Sequence, residues 1–232
     1  ENNCIMGLFG SKQQPKDPEI ENPWREVDWS NREQILQNLK QIRTSPGVDT
    51  LRILVVEPIC AGKSSFITSV NTALQGRNTS LDHSLTDSIV SPKYAVYTVK
   101  DTEGSLFPFV FGDTMGVGDG ESGACPEDII NILKGHVPEG YIFNPSMELT
   151  ADSSDFNKNP ALNDKIHCLV FVIPSNNIYI MRGITATLKP VLQSTCDLGI
   201  AQVIIMSKVD KACPLVCEDL KMIYRSQKIE DR

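Results

Sequence analysis

Leu51–Val56 (LRILVV) is an apolar run broken only by Arg52, and it leads straight into EPICAGKSSF. Such a run suits a strand buried on both faces of a sheet. Gly62-Lys63-Ser64 lies between that strand and a helical pattern from Lys63 to Leu74, the context in which it ends a phosphate-binding loop. In such a loop, backbone N–H groups and the helix N-terminus face the phosphates, the lysine reaches the terminal ones, and the next hydroxyl takes Mg²⁺. Cys60, Ala61, Gly62, Lys63, Ser64 and Ser65 are the candidate phosphate contacts, with Ser64 also a candidate Mg²⁺ ligand. The first half of the loop departs from the pattern, because Glu57 stands where glycine belongs.

The rest of the chain alternates in the same way. Tyr94–Lys100 and Leu106–Asp113 read as a hairpin closed by the turn Asp101–Ser105. A short helix follows from Glu127 to Gly135, then a buried strand over Ile166–Pro174. ITATLKPVLQSTCDLG reads as a helix with an irregularity at Pro190, Ala201–Asp210 holds the last clear strand, and Leu215–Lys228 a further helix. The fold class is therefore α/β. A three-layer P-loop NTPase of GTPase-like form is expected, its sheet mainly parallel with one antiparallel edge strand and its ligands beyond the strands' carboxyl ends. Ahead of it, residues 1–23 are polar and proline-punctuated and read as a flexible arm, and residues 24–232 as the P-loop domain. Within the domain, residues 24–47 form a helical extension: Trp24 and Trp29 anchor it, Ser30 and Glu33 form a capping box, and the helix ends at TSPG.

Two later strand ends carry chemistry. In FVFGDTMG, Asp113 can hold the Mg²⁺ shell and Gly116 can offer its N–H to a γ-phosphate. In IIMSKVD, Asp210 can accept the two N–H edges of guanine while the Lys208 stem stacks on the ring; Ser207 replaces the usual Asn or Thr. An ATPase is disfavoured by that lysine and aspartate. A switch hydroxyl is expected between the first sheet helix and Tyr94, where Thr86 and Ser88 both qualify and threonine is the usual residue.

Composition narrows the function classes. A net charge of −7 and the lack of any basic run argue against nucleic acid as a partner. Seven scattered cysteines, an odd number, suit a reducing compartment, and Cys213 with Cys217 has no nearby Cys/His pair for zinc. No apolar run approaches the roughly 20 residues of a membrane span. A cytoplasmic location is expected. Met6-Gly7 with Ser11 matches a myristoylation pattern at Gly7 should translation start at Met6, although a chance match in a leader is the favoured interpretation.

Together with PWREVDWS, GKSSF, FNP (Phe143–Pro145) and DKIHCLVFV, these motifs resemble the interferon-induced protein 44 family of P-loop proteins, from Pro23 onward. The resemblance implies a GTPase-like domain binding GTP or GDP with Mg²⁺, induction by interferon, and a part in antiviral or immune responses. Family members keep glycine where this chain has Glu57, and often where it has Cys60. Val117 follows the Asp-x-x-Gly motif where many small GTPases orient water with glutamine, so slow or absent hydrolysis is expected. Glu57 is expected to cost of order 1–2 kcal/mol in backbone strain, and its charge to add repulsion toward phosphate that is weak if the side chain turns to solvent. The alternative is a non-enzymatic protein with a degenerate site, acting through protein partners or self-assembly. A sixth strand and a final helix, usual after the guanine motif, are expected to be missing from this chain.

Overall fold

Five strands build the sheet: β1 (Leu51–Val56), β2 (Ala95–Lys100), β3 (Leu106–Asp113), β4 (Cys168–Pro174) and β5 (Ala201–Ser207). The computed structural model describes residues 19–79, 93–118 and 123–232. Their order is β2-β3-β1-β4-β5, parallel throughout except for the β2–β3 hairpin, as the alternating pattern requires. β1 lies in the middle, with Leu51 opposite Phe109 and Val56 opposite Phe171. That central place explains its apolar run, since both faces must be covered. The hairpin register shifts between Thr98 and Lys100, opposite the β3 stretch containing Pro108, where a residue without an N–H is tolerated.

Helices cover both faces, giving three layers. On one face Leu54, Val56, Leu169 and Phe171 form a core with Ile129, Ile132 and Leu133 of α3 (Pro126–Lys134) and Ile184, Leu188 and Val191 of α4 (Ile180–Asp197). On the other, Val55, Val170 and Val172 pack with Ile67 and Leu74 of α2 (Lys63–Gln75), and Leu36 and Leu39 of α1 (Arg32–Lys40) join them. Alternate residues of β1 and β4 thus serve opposite cores, the period of an extended strand. α4 continues through Pro190 as one helix.

Three local expectations are corrected. Ser30 makes no capping box: its N–H and hydroxyl both donate to Asp28 Oδ1 (2.9 and 2.6 Å), and α1 begins two residues later behind Asn31. That helix ends at Lys40, ahead of TSPG. The helix expected over Leu215–Lys228 is three short pieces: α6 (Pro214–Glu218), a 3₁₀ turn (Leu220–Arg225) and α7 (Gln227–Glu230), all preceded by α5 (Val209–Ala212). Asp219 and Ser226 break it, because each side chain accepts an N–H of the following turn (Lys221 and Ile229) and restarts the helix there.

Val27–Lys208 forms one compact unit; residues 19–26 with Val209–Arg232 form the described part of a second. In this second unit, Ile20 N–H donates to the Arg225 carbonyl (2.8 Å) and Trp24 N–H to that of Tyr224 (3.0 Å). The Trp24 and Tyr224 rings meet edge to face at 4.8 Å, which gives Trp24 its anchoring partner. Trp29, in the other unit, is half exposed. No described helix is long and apolar enough to cross a membrane. Gly7, Ser11, Thr86 and Ser88 lie outside the described residues.

Candidate functional site

At the carboxyl ends of β1, β3 and β5 the first two motifs meet Ser207 and Lys208 of the third. β1 and β3 end level, Val55 opposite Asp113, so the loops that follow them emerge side by side. The main chain of the first loop then pairs with that of the second: Val117 N–H donates to the Glu57 carbonyl (2.8 Å), and Ile59 N–H to the Val117 carbonyl (3.1 Å). Gly116 sits so close to this strip that a Cβ there would lie 3.0 Å from Ile59 Cα, so a side chain would press on the Ile59 main chain and glycine is favoured.

The third motif locks onto the same loop from the other side. Ser207 Oγ donates to the Ala61 carbonyl (2.6 Å) and Lys208 Nζ to the Cys60 carbonyl (2.6 Å). Ser207 therefore ties down the loop after β1 where the sequence showed only a missing Asn or Thr. Asp210 falls in α5, exposed and in the other unit. Ser64 is half-buried and Ser65 exposed in the first turn of α2.

Lys63 is almost fully buried, and its ammonium pairs with Asp113 Oδ1. Asp113 is fully enclosed, and its second oxygen, Oδ2, has no hydrogen-bond partner among the described residues. A buried carboxylate oxygen left open invites a cation or water. The open Oδ2 of Asp113 fits the expectation that it would hold Mg²⁺ together with Ser64, the ion then neutralising charge on phosphate oxygens.

Glu57 does not turn to solvent: only 8% of it is exposed, and its Oε2 accepts the Lys63 N–H at 2.5 Å. Burial pushes the carboxyl above its ordinary range, against the N–H groups of Lys63 and Gly62 and the Lys63 ammonium, which favour the charged form; the Asp113 charge adds to the rise. Nor does Glu57 carry the loop's strain. The left-handed residues are Cys60 (φ 65°), Gly62 (φ 118°) and Lys208 (φ 54°). Pro58 explains this, since a residue before proline is kept extended and the tight turn moves downstream. Val117 is fully buried and offers no polar side chain to a reacting water.

No protein-family model matches the chain. Human interferon-induced protein 44-like is 34% identical over 208 residues, which is 87% of this chain and 46% of that protein. Human interferon-induced protein 44 is 32% identical over 188 residues (80% and 42%), and its mouse counterpart 30% over 191 residues (80% and 44%). The chain belongs to the interferon-induced protein 44 family. It spans less than half the length of these curated relatives.

Proposed function

We propose that this chain is a guanine-nucleotide-binding, interferon-inducible immune-response protein with an antiviral role and slow or absent GTP hydrolysis. The observation carrying this proposal is the convergence of Lys63, Asp113, Gly116, Ser207 and Lys208 on one loop, with Lys63 and Asp113 buried and paired. Lys63 with the loop N–H groups of Cys60 to Ser65 binds phosphate, Ser64 and Asp113 hold Mg²⁺, and Gly116 offers its N–H to a γ-phosphate. The preference for guanine rests on the Ser-Lys-Val-Asp sequence, Lys208 stacking and Asp210 accepting the N–H edges. Val117 supports weak turnover, because a buried valine cannot orient water. Interferon induction rests on the names of the relatives. A cytoplasmic site of action and nucleotide-dependent partner binding or assembly complete the proposal.

Titration with a fluorescent GDP analogue and Mg²⁺ tests it. Wild type is expected to bind saturably, and Lys63→Ala is not. Because Lys63→Ala strands a buried carboxylate, the double variant Lys63→Met/Asp113→Asn, which removes both charges together, serves as the folded control. No Mg²⁺-dependent binding by wild type, or equal binding by the double variant, ends the proposal. The non-enzymatic alternative is favoured by one observation, the Glu57 carboxylate lodged in the phosphate loop.

A further inference from the structure

We propose that Glu57 is a built-in competitor for the phosphate loop, which a nucleotide must expel from the start of α2 in order to bind. The inference rests on the nucleotide-binding proposal above. A bound polyphosphate needs both donors that Lys63 carries, its backbone N–H and its ammonium. Both are engaged within the chain, the N–H by Glu57 Oε2 and the ammonium by Asp113. The Glu57 carboxylate thus supplies the negative charge that the start of a helix favours and that phosphate supplies in a glycine-bearing loop.

Backbone movement offers the carboxylate little escape. Glu57 C=O is held by Val117 N–H, Val117 C=O by Ile59 N–H, and Pro58 C=O by Ala61 N–H (2.9 Å). Expulsion therefore proceeds by side-chain rotation out of a buried position. The same strip of main-chain bonds joins Glu57 to the Asp-x-x-Gly segment, so a change at Glu57 is felt at Gly116 and Val117. In this chain the loop is filled by default, and the ligand that displaces Glu57 must present a β-phosphate. A monophosphate does not reach the same donors.

The experiment compares wild type, Glu57→Ala and Glu57→Gln in titrations with fluorescent GDP and GMP analogues, with inorganic pyrophosphate as competitor. Alanine keeps the extended backbone and removes the carboxylate; glutamine keeps the shape and removes the charge. Glu57→Ala is expected to bind the GDP analogue about tenfold tighter or more, the worth of one charge-assisted hydrogen bond no longer opposed. Pyrophosphate competition should strengthen in parallel, with the GMP analogue unchanged. Glu57→Gln is expected to show a smaller gain, and it decides the matter should the alanine variant fail to fold. A wild type that binds as tightly as both variants overturns the inference and leaves the nucleotide proposal standing. An equal gain for GMP also overturns it, since that reports a loosened loop and not a freed cradle. Failure of all three proteins to bind GDP removes the nucleotide proposal and this one with it.

Discussion

Two sheet-covering helices begin beside a buried carboxylate, and the two carboxylates do different things. At α2, Glu57 reaches forward to the helix's own first N–H, a donor that a ligand could also use. At α3, Asp128 sits in the first turn and reaches away, its Oδ1 accepting the Leu149 N–H at 2.7 Å. Asn131 of the same helix donates to the Leu149 carbonyl at 2.8 Å, so both polar groups of that residue are pinned by α3. Burial raises the carboxyl of both Glu57 and Asp128. The cost of desolvation is thus common to both, and what differs is the replaceability of the partner. Leu149 belongs to the chain and nothing else can take its place, so Asp128 is architecture. The Lys63 N–H has a second suitor if a nucleotide binds, so Glu57 is a competitor.

The largest effect expected on the α2 side is the loss of stability on Lys63→Ala. Removing one partner of a buried ion pair leaves Asp113 uncompensated and costs about 3–5 kcal/mol, a large share of a typical domain's stability. Urea denaturation checks it. The Lys63→Met/Asp113→Asn double variant is expected to recover most of that loss, because neither charge is then stranded. Equal destabilisation by the single and double variants would mean that the packing of the lysine stem matters more than its charge.

This contrast marks how far the amino-acid sequence could be followed. The strands and their order of chemistry were legible, since Leu51–Val56 and the Asp113 strand are apolar runs ending in motif residues. Glu57 was not, because its partner N–H lies six residues on, across a turn whose path depends on Cys60 taking a left-handed conformation. Pro58 was the available signal, as it keeps Glu57 extended and hands the turn to a later residue. Ser207 was likewise seen as a missing side chain, although its hydroxyl reaches the Ala61 carbonyl as a donor. The error over Leu215–Lys228 had a visible cause too: Asp219 and Ser226 are both good N-cap residues inside an apparently helical run.

On the α3 side a smaller effect is expected, with no consequence for ligand. Asp128→Ala leaves the Leu149 N–H without its acceptor and should cost about 1–3 kcal/mol. Asp128→Asn keeps an acceptor oxygen for Leu149 and removes a desolvated carboxyl, so it should lie close to wild type. Affinity for the GDP analogue should be the same in all three proteins. A changed affinity in Asp128→Ala would show that the two helix starts are coupled, and the distinction between architecture and competitor would then fail.

The smallest expected effect is the pH dependence that Glu57 lends to stability. Its carboxyl is held above its ordinary value of 4.5 in the folded protein, mainly by burial. The folded state therefore binds this proton more tightly than the unfolded one. Stability from the group is fully present below about 4.5 and is lost as pH rises through the raised folded value. His167 works in the opposite direction, because burial lowers its pKa from 6.5, and stability rises with pH up to that value. A melting curve of wild type alone mixes these with other groups, among them Asp128, whose carboxyl burial also raises. Glu57→Gln removes the Glu57 contribution and keeps the others, so the gap between the two proteins carries the sign. As pH rises above about 4.5, wild type should lose melting temperature relative to Glu57→Gln. A gap that stays constant or runs the other way would mean the carboxylate is better solvated than its 8% exposure implies, and the loop correspondingly freer to admit phosphate.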